Sequence, residues 1–369
     1  MNAMAWSRSL TAMVASLVPL AHSGAEIEEP IRLSEDGLHF VIGTSGKKFT
    51  PWGFNYVGEF GTVLEETWAD DWGAVVEDFR TMRELGANVV RIHLQLGTYM
   101  ETPTSVRAAE ITRLRKLLDL AAESGLYLDL TGLGCYHLEH VPPWLDGLGE
   151  SARWDVQARF WEAIAEACHG HPAVFCYCLM NEPVIGKPNE GDHPWLGKPL
   201  EGFHFVQRIS IDPDGRTRGA IAKAWVTRLT DSIRARDPET LITVGVIPWA
   251  LTFPGAKPVF YQPDVAEALD FVSVHIYPPA GRVDDALAVL ESFDIGKPVV
   301  IEETFPLACS MEEFAEFLER SKAVADGWIS HYFGHSVAAH RDGAQPGGAI
   351  TAGFLEFWRD NSPGEKKDG

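Results

Sequence analysis

Two short acidic segments close apolar, strand-like runs in this 369-residue chain. One reads Leu179-Met180-Asn181-Glu182-Pro183, and the other reads Val300-Ile301-Glu302-Glu303-Thr304. A core strand rarely carries a carboxylate that has no partner and no task. Two opposed carboxylates can cleave a glycosidic bond, because one protonates the leaving oxygen while the other attacks or stabilises the oxocarbenium-like carbon. The sequence therefore points first to glycoside hydrolysis.

Other polar side chains interrupt strand-like runs in the same way. Arg91-Ile92-His93 lies in a second run, and Ser273-Val274-His275-Ile276-Tyr277-Pro278 ends a sixth. An arginine or tyrosine beside one carboxylate would keep it ionised, whereas burial or a neighbouring negative charge would keep the other protonated. Each segment also has an ordinary interpretation: Asn181-Glu182-Pro183 could be a strand exit, and Arg91 could be a structural ion-pair partner. We expect His93 to line the pocket or the core rather than to act as a base.

The chain alternates short apolar runs with longer amphipathic stretches. Eight runs qualify as strands: Thr50–Tyr56, Asn88–Leu94, Tyr127–Leu133, Val174–Met180, Leu241–Ile247, Phe271–Tyr277, Pro298–Glu303 and Gly327–Phe333. Apolar runs separated by helices are typical of a parallel sheet covered by helices, and eight units predict a closed (β/α)8 barrel. We expect one α/β domain, residues 24–362, with the polar strand ends gathered at one face. An open doubly wound sheet is the alternative, although Trp52-Gly53-Phe54-Asn55-Tyr56 lacks the glycine-rich dinucleotide fingerprint.

The longest irregular stretch, residues 184–219, follows the fourth strand. A long connection inside a compact barrel is more often functional than accidental, and this one leaves the face where barrel active sites are built. We therefore predict an extended loop after strand four. Trp144, Trp195 and Trp249 could stack on sugar rings, although most of the 12 tryptophans are expected in core or loop packing.

Composition and charge exclude several classes of protein. With 46% hydrophobic and 22% charged residues, the chain has enough apolar material for a large core. Its formal charge of −21 repels phosphate backbones and anionic membrane surfaces, so nucleic acid is not expected as a partner. A neutral carbohydrate would feel little of that repulsion.

The first 23 residues resemble an export signal. A basic residue precedes the apolar stretch Leu10–Leu20, and small residues follow where a signal peptidase would cut. The alternative is a frayed or buried helix, which a proline in this stretch would break. No other stretch reaches the roughly 18 to 20 apolar residues of a membrane span. We predict a secreted or periplasmic protein without a membrane span, and a charged, mobile tail over residues 363–369.

Cysteines and histidines offer only weak metal motifs. The five cysteines are an odd number and suggest no disulfide framework, and Cys176 and Cys178 alternate along an apolar run as small core residues would. The histidines of His137-Leu138-Glu139-His140 are three apart and two prolines follow, so this segment is not the helical zinc motif. We expect neither a metal nor an organic cofactor.

The sequence resembles glycoside hydrolase family 5, the cellulase and mannanase family of retaining (β/α)8 enzymes. The resemblance runs across most of the mature chain, and its most specific parts are Asn181-Glu182-Pro183 and Lys297-Pro298-Val299-Val300-Ile301-Glu302-Glu303. It implies that Glu182 is the acid/base and Glu303 the nucleophile. It also implies four substrate-binding residues: Arg91, which would hold the nucleophile ionised, Asn181, which would bind the sugar 2-hydroxyl, and His275 and Tyr277 of a His-x-Tyr pair.

Strand alternation does not separate Glu302 from Glu303. One should point into the barrel and the other toward the helices, but both parities of this run are apolar. The family pattern places its nucleophile at the second position, which selects Glu303. We expect Glu302 either behind the site or facing the helices.

Two positions depart from the family pattern. Strand three reads Asp129-Leu130-Thr131-Gly132 where the family often has histidine, and strand eight offers His331 and Phe333 where the family usually has a sugar-stacking tryptophan. The substrate is therefore not assumed to be cellulose. We predict a retaining hydrolase of a β-glucan or β-mannan. The alternatives are a glycosidase for another β-glycoconjugate and a carbohydrate-binding pseudoenzyme, and the intact carboxylate pair counts against the latter.

Overall fold

The computed structural model describes residues 26–56, 64–200, 202–343 and 348–363. Eight parallel strands follow the order of the chain around a closed barrel. They are β1 (Trp52–Tyr56), β2 (Val89–Gln95), β3 (Tyr127–Gly134), β4 (Val174–Asn181), β5 (Leu241–Val246), β6 (Val272–His275), β7 (Val299–Thr304) and β8 (Gly327–Phe333). The predicted (β/α)8 barrel is confirmed, and each strand overlaps its predicted run.

Helices cover the outside of the barrel. They are α1 (Leu64–Asp70), α2 (Trp72–Glu84), α3 (Leu96–Tyr99), α4 (Ala108–Glu123), α5 (Glu150–Cys168), α6 (Arg218–Arg234), α7 (Pro263–Ala266), α8 (Val283–Glu291), α9 (Met311–Ser321), α10 (Val337–Asp342) and α11 (Gly348–Asp360). The fifth unit departs from the predicted strand-then-helix repeat, because a short 3-10 helix (Trp249–Leu251) and the four-residue α7 stand between β5 and β6 in place of a long helix.

Helix α9 shows how the sequence sets these elements. Ser310 accepts a hydrogen bond from the backbone N–H of Glu313, and the Glu313 side chain accepts one from the N-cap in return. This capping box satisfies two donors that a helix start leaves unpaired. Phe314, Phe317 and Leu318 share the buried face, and their spacing of three and four residues places them on one stripe.

A small antiparallel sheet closes the end of the barrel where the strands begin. Its strands are Ile31–Leu33, Phe40–Ile42 and Lys47–Phe49. The Phe40 ring is fully buried and packs edge-on against Phe175 at 5.3 Å and Phe271 at 5.2 Å. The opposite end, where the strands stop, stays available for a site.

Both ends of the chain carry predictions that fall outside this description. The predicted export signal, residues 1–23, lies outside the described residues, and so do residues 364–369 of the predicted tail. Within the described ranges, no helix is both long enough and apolar enough to cross a membrane.

Candidate active site

The guanidinium of Arg91 on β2 lies at the centre of a polar cluster at the barrel mouth. It is fully buried, and its Nη1 donates to Glu303 Oε1 at 2.6 Å while Nη2 lies 3.3 Å from Glu302 Oε2. Its other contacts are neutral oxygens: Thr131 at 2.8 Å, Asn55 at 2.8 Å and Asn181 at 3.0 Å. All five N–H groups of the guanidinium therefore face an acceptor, so the charge can remain buried. Arg91 joins side chains of β1, β3, β4 and β7 around one positive charge.

Glu303, near the end of β7, is surrounded by donors. Besides Arg91, the Tyr277 hydroxyl donates to Oε2 at 2.7 Å, and His331 Nδ1 lies 2.7 Å from that hydroxyl and 3.7 Å from Oε2. Burial alone would raise the pKa of Glu303. The charge of His275, the hydrogen bond from His331 and the Arg91 guanidinium instead hold this pKa well below its usual range. Glu303 is thus ionised, the state that an attacking carboxylate requires.

A register irregularity brings both glutamates of β7 into the barrel. Val274 of β6 pairs with Ile301, but the next residue, His275, pairs with Glu303. Glu302 is therefore an extra residue on β7, as in a β-bulge, and strict side-chain alternation fails there. The helix-facing alternative for Glu302 is wrong: its side chain is fully buried behind the site, where it contacts Arg91 and His275.

Glu182 leaves β4 through an unusual backbone conformation. Its φ is 49°, in the left-handed region that costs an ordinary residue about 1 to 2 kcal/mol. Its backbone N–H donates to the carbonyl of Gly245 at 2.9 Å. One carboxylate oxygen of Glu182, one of Glu303 and a ring nitrogen of His275 all lie within 4.8 Å of one another. The turn thus aims the Glu182 carboxylate across the mouth at Glu303.

His275, at the end of β6, lies among three carboxylates. Its Nδ1 is 2.9 Å from Glu182 and 3.5 Å from Glu303, and its Nε2 is 3.1 Å from Glu302. Burial would lower the pKa of His275, but the charge of Glu303 and the hydrogen bonds to Glu182 and Glu302 raise it to about 9. His275 is therefore positively charged at neutral pH.

Asn55 and Tyr136, which the sequence analysis did not single out, also line the cluster, beside His93 and His331. Asn55 on β1 donates to the backbone carbonyls of Glu302 and Ser330, and its Oδ1 lies 3.0 Å from His93 Nε2. The other ring nitrogen of His93 contacts the Tyr136 hydroxyl, and His331 contacts Tyr277. A polar residue inside the apolar run Trp52–Tyr56 was a signal for Asn55. Burial and the nearby Arg91 hold the pKa of His93 well below its usual value, so His93 lines the pocket as a neutral ring.

The predicted extended loop after β4 borders the site. Asn181 Nδ2 donates to the carbonyl of Phe205, within this loop, at 3.1 Å. The rings of Phe203 and Phe205 stack with centroids 5.4 Å apart, and Phe205 meets the Tyr136 ring at 5.2 Å. The loops after β3 and β4 therefore build an aromatic wall beside Asn181.

The tryptophans considered as sugar platforms differ in exposure. Trp249, after β5, is 42% exposed and lies beside the exposed ring of Phe253. Trp195 is buried, and Trp144 is partly buried with its indole N–H donated to a backbone carbonyl. Phe333 on β8 is fully buried in the core. Of these four candidates, Trp249 is the most exposed.

The cluster could also be considered as a metal site. Glu182, His275 and Glu303 offer three ligand atoms close enough to share a cation, the one such group within the described ranges. Arg91 at 2.6 Å from Glu303 and the positive charge of His275 would both repel a cation. These residues fit proton transfer and nucleophilic attack better than metal binding. His137 and His140 belong to no such group in this part of the chain.

Two opposed carboxylates at the mouth of a (β/α)8 barrel are the arrangement expected of a glycoside hydrolase. The family model described as cellulase (glycosyl hydrolase family 5) matches residues 45–304. The chain belongs to glycosyl hydrolase family 5, and the protein is a glycoside hydrolase.

Several solved structures share the fold. The chain is similar to an exo-β-1,4-mannosidase from Opitutaceae bacterium strain TAV5, with a TM-score of 0.63 and 18% identity over 89% of this chain and 62% of that one. An endo-1,4-β-mannanase from Eisenia fetida matches at 0.61, with 14% identity over 90% and 96% of the two chains. The catalytic domain of a Thermobifida fusca endoglucanase matches at 0.57, with 17% identity over 89% and 96%. No curated protein matches the chain. At these identities the likeness concerns the fold alone.

Proposed function

We propose that the protein hydrolyses β-glycosidic bonds with retention, using Glu182 as acid/base and Glu303 as nucleophile. The observation that carries this proposal is the short gap between them, since one oxygen of each lies within 4.8 Å of the other. Retaining pairs are about 5 to 5.5 Å apart, whereas inverting pairs are about 6.5 to 9.5 Å apart because a water must fit beside the sugar. The gap here leaves no room for that water.

The reaction proceeds in two displacements. Glu303 attacks the anomeric carbon while Glu182 gives its proton to the departing oxygen, so the glycosidic bond breaks and a glycosyl ester of Glu303 forms. Glu182, now a carboxylate, then takes a proton from a water that attacks the same carbon and releases Glu303. Arg91 and Tyr277 stabilise the Glu303 carboxylate in its free form, and His275 orients Glu182.

Substrate binding falls to side chains around this pair. Asn181 is fixed by Arg91 on one side and by the Phe205 carbonyl on the other, which orients its amide toward a sugar 2-hydroxyl. The substrate class that we propose is a β-glucan or β-mannan, supported by the family match and by similar folds named as mannanases and endoglucanase. The exposed face of Trp249 suits stacking on a pyranose ring.

Reducing-sugar release from glucans, mannans, xylan and aryl β-glycosides tests the substrate class. We expect release from a β-glucan or a β-mannan, and none from the same preparations of the Glu303→Ala variant. Cleavage of aryl glycosides without any polymer would move the assignment to another β-glycoconjugate. Saccharide binding without turnover would identify a binding protein.

The identity of the nucleophile is tested by replacing each glutamate of β7. Glu303→Ala should lower turnover by several orders of magnitude, and azide should then attack an activated β-glycoside from the vacated space to give an α-glycosyl azide. Glu302→Ala is the matched control, and it should form no α-glycosyl azide because Glu303 still occupies that space. If Glu302→Ala gave the azide product and Glu303→Ala did not, Glu302 would be the nucleophile.

We also propose that the chain is exported, on the strength of the signal-like residues 1–23. N-terminal sequencing of the protein recovered outside the cytoplasm should begin near residue 24. An intact N-terminus retained in the cytoplasm would contradict export.

A further inference from the structure

A second pair of carboxyl groups lies behind the catalytic one, and the mechanism above uses neither. Asp129 on β3 and Glu302 on β7 are both fully buried. Burying two carboxyl groups together is costly unless one is neutral or each is paired. Their presence beneath a charged site therefore calls for a physical explanation.

The surroundings of Glu302 make it the ionised member of the pair. The groups facing it are Arg91 of β2 at 3.3 Å, Asp129 of β3, Cys178 of β4 at 3.6 Å, and Ser273 and His275 of β6, both at 3.1 Å. On β5 the facing residue is Gly245, where a Cβ would lie 2.3 Å from Glu302 Oε2. Two positive groups and a hydroxyl thus converge on one carboxylate.

The surroundings of Asp129 make it the neutral member. Neither of its carboxylate oxygens accepts a hydrogen bond from an amide, hydroxyl or guanidinium in the described part of the chain. Its contacts are the Cys176 thiol, a weak donor, and the Glu302 carboxylate. Two carboxyl groups can hydrogen-bond only if one carries a proton. Burial and the charge of Glu302 raise the pKa of Asp129 well above its usual value, which places the proton there.

The geometry of His275 depends on this pair. Both ring nitrogens face carboxylate oxygens, Nδ1 at 2.9 Å from Glu182 and Nε2 at 3.1 Å from Glu302. A neutral imidazole has one N–H and can donate to only one of them. When Glu182 is a carboxylate, as it is after it has protonated the leaving group, both contacts are hydrogen bonds only in the imidazolium, which needs a buried counter-charge on the side away from the substrate.

We propose that Asp129 and Glu302 form a carboxylic acid–carboxylate pair that holds His275 as an imidazolium and so positions Glu182. Asp129 donates its proton to Glu302 in a hydrogen bond, and Glu302 balances the charge of His275. With Glu303 opposite Arg91, the cluster then contains two positive and two negative buried groups. Asp129 and Glu302 are positioning residues, because they act through His275 and not on the sugar.

Conservative substitutions separate the two members. Glu302→Gln keeps the shape but removes the counter-charge, so the pKa of His275 should fall by at least about one unit, a tenfold change in its protonation equilibrium. Asp129→Asn replaces one neutral donor by another, so His275 should stay protonated. Asp129→Leu removes the donor that fixes Glu302 and should loosen the contact between Glu302 and His275. Asp129→Asn keeps a donor and should preserve that contact.

Nitrogen NMR of histidine-labelled protein reads the protonation of His275 directly, with its signals assigned by their loss in His275→Asn. At pH 7 both ring nitrogens of His275 should be protonated in the wild-type protein. In Glu302→Gln, His275 should lose one of these protons at a lower pH than in the wild-type protein. A neutral His275 in the wild-type protein, or an unchanged titration in Glu302→Gln, would overturn the proposal. Loss of the imidazolium in Asp129→Asn would show that Asp129 is ionised, and would also overturn it. If Glu302→Gln does not fold, the wild-type and Asp129→Asn spectra decide the question.

A kinetic consequence rests on the proposed function. Deprotonation of His275 would weaken the hydrogen bond that orients Glu182, so the alkaline limb of the pH profile of kcat/KM on an aryl β-glycoside should begin at a lower pH in Glu302→Gln than in the wild-type protein. The NMR experiment needs no turnover, so the proposed carboxyl pair and the proposed glycosidase activity can fail independently. Suppose that Glu302→Gln loses the imidazolium but the wild-type protein hydrolyses no glycoside. The acid–carboxylate pair would then stand, and the proposed glycosidase activity would be wrong.

Discussion

Glu182 and Glu303 are identical side chains in unlike surroundings. Glu303 faces Arg91 and the Tyr277 hydroxyl at 2.6 and 2.7 Å, whereas Glu182 has one close partner, His275. The first environment favours the carboxylate, whereas Glu182 shares a hydrogen bond with one ring nitrogen of His275 and has neither an arginine nor a tyrosine hydroxyl beside it among the described contacts. Environment, rather than residue type, separates nucleophile from acid in such pairs.

Arg91→Lys should raise the pH at which activity is lost on the acidic side. The pKa of Glu303 is held low in part by the guanidinium, and a lysine ammonium cannot supply five directed donors. Glu303 would then gain its proton at higher pH, so the nucleophile would be lost earlier as the pH falls. The profile of kcat/KM against pH measures this shift. Arg32→Lys, at an exposed pair with Glu239, should leave the profile unchanged, and an unshifted acidic limb in Arg91→Lys would contradict this assignment.

The sequence singled out several of the residues that meet at the barrel mouth, and their functional roles stay predictions. Glu182, Arg91 and His275 stood out because a charged or polar group interrupted an apolar run. Glu302 could not be placed, because the irregular pairing of β6 with β7 is a three-dimensional property that alternation in one strand does not reveal. His331 stood on strand eight without a role, since only the fold brings it to Tyr277.

Strand β5 contributes to the site through a residue that has no side chain. Gly245 faces the cluster, and a Cβ there would lie 2.3 Å from Glu302 Oε2 and 2.7 Å from His275 Nε2. Both of those side chains are held by several partners and have little freedom to move. A glycine in a core strand, usually a weakness, here leaves space for buried charges.

Gly245→Ala should therefore lower both stability and activity. Overpacking of a buried site costs about 1 to 3 kcal/mol, and displacement of His275 would disturb Glu182 as well. Urea unfolding and turnover on one substrate measure the two effects. Gly353→Ala on α11 is the matched control: a Cβ added there would meet no atom of the described residues within 4 Å, so it should be neutral or stabilise the protein by up to about 1 kcal/mol. Wild-type stability and turnover in Gly245→Ala would contradict the packing argument.

The elements that the sequence did not predict are short or irregular. The N-terminal strands, Ile31–Leu33, Phe40–Ile42 and Lys47–Phe49, have three residues each, too few to show a period of two. The fifth unit lacks a long helix because the connection from β5 to β6 is mostly irregular. The eight barrel strands were predictable because each is a buried run bounded by polar residues.

The two ends of the barrel differ: the end where the strands begin is packed against the N-terminal sheet, and the end where they stop carries the candidate active site. The N-terminal sheet covers the end where strands begin, through contacts of Phe40 with Phe175 and Phe271. Asn181 and His275 lie at the other ends of β4 and β6. Changes at the closed end should therefore alter stability without reaching the carboxylates.

Phe40→Ala tests this division. Loss of a fully buried phenylalanine from a core costs about 3 to 5 kcal/mol, so the urea midpoint and the Tm should fall clearly. The kcat of the folded fraction should equal that of the wild-type protein. A fall in kcat as large as the fall in stability would show that the two ends are coupled.

We propose that the protein cleaves a β-glycoside by double displacement, with Glu182 and Glu303 as the reacting pair. Proton NMR of the first-formed product distinguishes this from a single displacement, because the anomeric signal records the number of displacements before mutarotation. We predict that the β-anomer appears first and that the α-anomer grows in only as the mixture equilibrates. First release of the α-anomer would mean a single displacement by water and would contradict the assignment of Glu303 as nucleophile.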